Sequence, residues 1–140
     1  MLTLFRGELS RSGILTGKWV YGVLLDSDGK VYHYIGNLGQ IDGRVGERTV
    51  GQFTGLFDKQ ERKVFHGDII ELNTGTSVQH FSISIPDDIL KIEAENLGLP
   101  KDYGKMTIDR DWWKEFKDDI TVIGNIWDNA DMLTKWRTAE

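Results

Sequence analysis

ERTVGQFTGLFDKQERKVFHGDIIEL, from Glu47 to Leu72, is the stretch around which the rest of the chain is organised. Two segments with strand character, 49–54 and 63–72, flank a polar turn at 58–61. Gly51, Gly55 and Gly67 punctuate it. Glycine within a strand pattern marks a bulge, a sharp bend or a close backbone approach. Val64, Phe65, Ile69, Ile70 and Leu72 are β-formers or large apolar residues, so 63–72 reads as a largely buried strand interrupted at Gly67–Asp68. Asp68 lies inside that apolar run. An unpaired buried carboxylate is strongly unfavourable, so the expected role of Asp68 is structural, accepting backbone N–H bonds at a bend.

Outward from this core, the chain reads as a turn-rich β protein. At 140 residues it is expected to be a single domain, 1–140. The leading strand is expected over 2–9, followed by a loop over 10–17. Trp19, Tyr21, Val23 and Leu25 alternate along 18–25, and 30–36 has matching character. The intervening Asp26-Ser-Asp-Gly29 predicts a hairpin turn rather than a calcium loop, whose later ligands are missing. A glycine-rich loop with a short strand follows at 37–47, without a phosphate-loop pattern. Residues 78–85 alternate and predict a strand. Pro86, Asp87 and Asp88 suit a helix start, and Leu90, Ala94 and Leu97 recur at helical spacing, so 86–97 predicts a helix. Asp109 or Thr107 caps a second short helix near 110–117, carrying Trp112, Trp113 and Phe116. A strand over 120–127 has Gly124 as a bulge candidate and Asn125 as a local hydrogen-bonding residue. A short terminal helix over 129–137 would carry Trp136. The fold class is therefore mainly β (β-rich α+β): a strongly bent, barrel-like antiparallel sheet with one or two short helices.

Composition limits the function classes. There is no cysteine, which excludes disulfides, thiol catalysis and thiolate-bound zinc. No signal peptide and no long apolar run is visible, so a cytoplasmic protein with no membrane partner is expected. The net charge of −5 argues against double-stranded DNA as a partner, and no helix carries a basic stripe suited to the major groove. The charge is uneven: five basic residues face three acidic ones over 44–63, and ten acidic face six basic over 87–119. His33, His66 and His80 show no metal-ligand spacing, and neither H-E-x-x-H nor G-x-S-x-G occurs. No metal, cofactor or catalytic residue is assigned on these grounds. A pair such as Asp58 with Asp68 would support acid–base or metal chemistry only if the fold brought the two together.

The central stretch resembles the signature of the YopX family, which runs roughly Q-[YF]-T-G-L-x-D-x-x-G-x-x-[IV]-[YF]-x-G-D-[IV]-[IV]. Gln52, Phe53, Thr54, Gly55, Leu56, Asp58, Val64, Phe65, Gly67, Asp68, Ile69 and Ile70 meet it. FRG at Phe5–Gly7 with GKWVYG at 17–22, and VIGNIWDNADML at 122–133, resemble its opening and closing patterns. The family turn carries glycine where this chain has Glu61, so the turn is expected to differ in backbone geometry. Residues 73–119 match no such pattern and read as a divergent insert. The resemblance implies a phage or prophage of a Gram-positive bacterium, and no particular reaction. It marks Arg6, Gly7, Trp19, Gly22, Gln52, Thr54, Gly55, Asp58, Gly67, Asp68, Gly124 and Asn125 as motif positions of structural role. Separately from the resemblance, and with no spacing that points to it, Arg6 is expected to be a buried or half-buried arginine paired with a carboxylate such as Asp68 or Asp58.

Three functional readings follow. The first is a non-enzymatic interaction module with an unknown phage or host protein as partner. The second is a single-stranded nucleic-acid accessory protein using the basic residues of 44–63 and nearby aromatics. The third is a carboxylate- or metal-dependent enzyme built on Asp58 and Asp68. Five tryptophans in 140 residues also predict a closed homo-oligomer, with Trp112, Trp113 and Trp136 at its interface.

Overall fold

A computed structural model of the chain describes residues 4–26, 33–37, 40–86, 91–101 and 103–137. The chain is mainly β, with two antiparallel sheets and one short helix. It divides into two compact units, 1–53 and 54–140.

The first unit holds β1 (Phe5–Arg11), β2 (Ile14–Asp26), β3 (His33–Asn37), β4 (Gln40–Val45) and the start of β5 (Gly51–Phe57). β1 pairs antiparallel with β2, β2 with β3 and β3 with β4, and β4 returns to β1 through Leu9 opposite Val45. The four strands thus close into a ring, but a single residue pair at the seam falls short of a true barrel. The start of β5 adds to β1 at Gln52 and Gly51. The expected loop over 10–17 is instead a tight hairpin turn at Ser12 and Gly13, with both strands running up to it. The strands expected to pair around residue 28 do pair antiparallel, from Val23 opposite Gly36 to Asp26 opposite His33. Its turn, Ser27 to Gly29, lies outside the described residues.

Small residues let this ring close. Gly7 lies against Val45 and Ile35, where an added Cβ would sit 2.9 Å from Val45 Cβ. Gly22 faces the Gly36 backbone so closely that a Cβ would lie 2.5 Å from the carbonyl oxygen. Ile35 and Val45 are buried, and three polar residues, Arg6, Glu8 and Thr49, are buried with them.

The second unit holds the rest of β5, which pairs with β6 (Lys63–Phe65), and a five-stranded sheet in the order β10-β9-β8-β7-β11. Its strands are β7 (Asp68–Asn73), β8 (Val78–Ser84), β9 (Ile92–Asn96), β10 (Lys105–Ile108) and β11 (Ile120–Asn125). The interruption expected at Gly67–Asp68 separates β6 from β7. Ile70, Leu72, Phe81, Ile83, Ala94, Ile108, Trp113 and Ile120 form one apolar cluster with Leu56 and Val64. Residues 73–119 are integral to this unit, supplying three of the five strands of its sheet.

The helix expected over 86–97 is not formed where the chain is described. Residues 92–96 are β9, paired with β8 through Ile83 opposite Ala94 and Ser84 opposite Glu93; 87–90 lie outside the described residues. Ile92 and Ala94 alternate with Glu93 and Glu95, and pairing between β8 and β10 imposes that period of two over the helical spacing of Leu90, Ala94 and Leu97. Helix α1 (Arg110–Phe116) is close to its expected place, and its amino end is capped by Asp109, whose Oδ1 accepts from Trp112 N at 2.8 Å. The terminal helix expected over 129–137 shrinks to one turn, Met132–Lys135. Among the described residues, no helix is long and apolar enough to cross a membrane.

Candidate functional site

Asp58 is fully buried and closes the turn between β5 and β6. Its Oδ1 accepts from Gln60 N and Arg62 N, both at 2.9 Å. Its Oδ2 accepts from Arg62 Nε at 3.0 Å and from Val122 N at 3.0 Å. Arg62 Nη2 also donates to Val122 O, and Lys59 N to Ile120 O, so the whole turn is stitched to β11. Burial pushes the Asp58 carboxyl up, but the N–H groups of Val122, Arg62 and Gln60, with the Arg62 guanidinium, outweigh it and hold the group below its ordinary value. The guanidinium partner of Asp58 is therefore Arg62; the sequence offered Asp58 or Asp68 as the carboxylate for Arg6. Glu61 has φ +62°, the left-handed conformation that suits the glycine expected at this position.

Asp68 is buried at the bend between β6 and β7, and its Oδ2 accepts from Phe65 N at 2.7 Å. It stands opposite Asn125 in the register of β11, whereas Asp58 reaches Val122. Those two positions are about 10 Å apart along a strand. Gly67, beside Asp68, has φ +93°, and a Cβ there would lie 2.2 Å from the Trp127 ring. On β11 the register shifts between Val122 and Gly124, which places the bulge at the expected glycine. Asn125 Oδ1 accepts from Trp127 N and Asp128 N, so it forms the local turn that ends the strand.

The remaining motif positions serve the ring and β5. The Arg6 guanidinium lies 5.0 Å from the centre of the Trp19 ring, a cation–π distance. Glu8 and Thr49, which sequence reasoning did not single out, complete this interior. Glu8 Oε2 accepts from Gly17 N, and Thr49 Oγ1 accepts from Glu8 N and donates to Gly46 O. Gln52 is paired with Phe5 in the strand ladder, Thr54 Oγ1 donates to Val64 O, and Gly55 takes φ +84° on an open surface. A shallow groove of about 670 Å³ is lined by Ser10, Gly13, Leu15, Gly46 and Arg48.

The tryptophans have separate surroundings. Trp113 is core, its Nε1 donating to Phe57 O at 2.8 Å. Trp112 is half-buried among Phe81, Phe116 and Trp113. Trp136 lies flat on His80, with ring centres 3.7 Å apart and planes 5° from parallel. Glu71 orients that histidine, its Oε2 lying 3.2 Å from His80 Nε2. Beside the stacked pair opens a groove of about 380 Å³ lined by Val78, His80, Asn96, Leu99 and Trp136. Val78 and Leu99 are among the few large apolar side chains that the described residues expose, at 51% and 41%.

This groove is the candidate functional site. Sequence reasoning placed His80 on a strand and Trp136 in a terminal element, but nothing in their spacing predicts that they meet. Among the described residues, no three His, Asp or Glu side chains gather as a metal site. A comparison with curated proteins finds no match. The profile of one family, described as YopX protein, matches residues 17–134. That span contains Asp58 and its bonding partners, the bend at Gly67–Asp68 and the bulge at Gly124, the features that set the backbone of the second unit. By that match over more than four-fifths of its length, the chain belongs to the YopX family, whose function is unknown.

Proposed function

We propose that this protein is a phage- or prophage-encoded interaction module that binds a protein partner through the groove beside His80 and Trp136. One observation carries the reading: the buried carboxylates are engaged with backbone donors, while two exposed apolar side chains, Val78 and Leu99, line this groove. Asp58 accepts four hydrogen bonds, which fills the acceptor sites that a metal or a transferred proton would need. Val78 and Leu99 instead offer exposed apolar surface beside an aromatic pair, and the centre of an interface is apolar and enriched in aromatic rings. Self-association belongs to the same proposal, with the half-buried Trp112 and Trp136 as the rings available to a second copy.

The test is capture by the tagged full-length chain from host cells during phage infection or prophage induction. A partner retained by the unaltered chain and lost with Val78→Lys and Leu99→Lys supports the reading. No partner, or one retained equally by both proteins, refutes it. Light scattering after size exclusion tests the homo-oligomer: a mass near 16.0 kDa at high micromolar concentration rules it out.

A further inference from the structure

The segment after β11 is attached at its two ends. The helical turn Met132–Lys135 buries no residue, and the apolar cluster of the unit takes no member from beyond Val122. The start of the segment is anchored by Ile126 N donating to Gly67 O, by the Trp127 ring against Gly67 and by Asn129 bonded to Asn125; after the helical turn, Trp136 and Arg137 contact the sheet. Trp136 stacks on His80. Arg137 Nη1 donates to Leu99 O at 2.8 Å and Nη2 to Glu95 Oε2 at 3.2 Å, while Nε donates to Leu133 O within the segment.

The surface that receives these groups is fixed independently of them. Glu71 orients His80, and His80 O accepts from Leu97 N. Asn96 Oδ1 accepts from Gly98 N, holding the turn that presents the Leu99 carbonyl. A flat ring face and the Leu99 carbonyl are therefore held ready, which lowers the ordering cost of binding. A lysine could not reproduce the two-pronged contact. Charge agrees: residues 54–140 carry seventeen acidic against eleven basic side chains, whereas 1–53 carry five against six.

We infer that the surface formed by His80, Glu95 and Leu99 is a recognition site for peptide segments bearing an aromatic–arginine pair, held in cis by Trp136–Arg137. The inference rests on the interaction reading above and names its partner class. The chain's own carboxy-terminal residues act as a resident ligand that an incoming segment must displace. The groove left open beside Trp136 is where the displacing segment first makes contact.

The experiment uses the full-length chain and the synthetic peptide of residues 131–140, DMLTKWRTAE. A tethered ligand competes at an effective concentration in the millimolar range. The peptide should therefore bind the full-length Trp136→Ala/Arg137→Ala protein at least about tenfold more tightly than the unaltered protein. Peptides with the tryptophan or the arginine replaced by alanine, and protein carrying His80→Ala in addition, should each lose that binding. Equal affinity for both proteins, indifference to the peptide's tryptophan and arginine, or no saturable binding overturns the inference. Circular dichroism checks folding, and Trp136→Ala alone replaces the double variant if that does not fold. If neither folds, the segment is part of the unit's framework and the inference fails. A cellular partner that depends on Val78 and Leu99 but is not displaced by this peptide overturns the inference alone. Absence of any partner overturns the reading beneath it.

Discussion

Removing the Asp58 carboxylate tests the stitch between the 58–62 turn and β11. Asp58→Ala deletes the acceptor of three backbone N–H groups and of one guanidinium. Arg62 is half exposed, so its ion pair contributes under about 1 kcal/mol. The three backbone bonds contribute about 1 kcal/mol each, because water reaches the turn residues once the side chain is gone. The expected loss is about 3 kcal/mol, a large share of a typical 5–15 kcal/mol. Asp58→Asn keeps one acceptor oxygen but sets an NH2 group against two of the donors, so about 2 kcal/mol is expected. Urea titration followed by tryptophan fluorescence reads both, and the alanine midpoint should fall by roughly 1–2 M. The direction of the pKa shift adds a second signature. Because the folded carboxyl is held low, its contribution is fully present above the unfolded value of about 3.9 and is lost as pH falls through the folded value. The gap between unaltered and Asp58→Asn protein should therefore narrow below about pH 4. An alanine variant within about 0.5 kcal/mol of the unaltered protein, or a gap constant down to pH 2, would refute the reasoning.

Four further substitutions test backbone strain, packing and a buried acceptor separately. Gly55→Ala and Gly67→Ala both place a side chain at positive φ, but only the second drives it into a ring; thermal melts should show a loss of about 1 kcal/mol for the first and at least about 3 kcal/mol for the second. Glu61→Gly removes a left-handed non-glycine residue together with an exposed ion pair to Lys117, and should raise stability by up to about 1 kcal/mol in urea. Asp68→Ala deletes the buried acceptor of Phe65 N, so chemical denaturation should show a loss of about 1–3 kcal/mol.

The bends were legible in the sequence because glycine and aspartate leave specific marks. Gly67–Asp68 and Gly124–Asn125 sit where an apolar run could not continue without a break, and both breaks are found there. Helix α1 and its Asp109 cap were legible for the same local reason. The helix expected over 86–97 failed because its apolar residues satisfy two periods, and the choice between them belongs to β8 and β10, which flank β9. The role of Asp58 was only half visible: the turn is local, but Val122 lies 64 residues away and no spacing announces it. The groove was hidden for a similar reason. Its floor and its occupant come from β7, β8, β9 and the last described residues, joined by contacts across more than forty positions.

The span from Asp58 to Val122 also has a consequence in time. Both compact units are contiguous in the chain, so every strand of the ring can leave the ribosome before residue 58 follows. Asp58 must then wait for 64 further residues before its partner on β11 exists. At about 5–20 residues per second, that delay is roughly 3–13 s. Throughout it, the carboxylate keeps its water and the β11 side of β7 has no strand to cover it. A nascent chain in that state presents Ile69, Ile70 and Leu72 on an open edge, the kind of surface on which chaperones and aggregation compete.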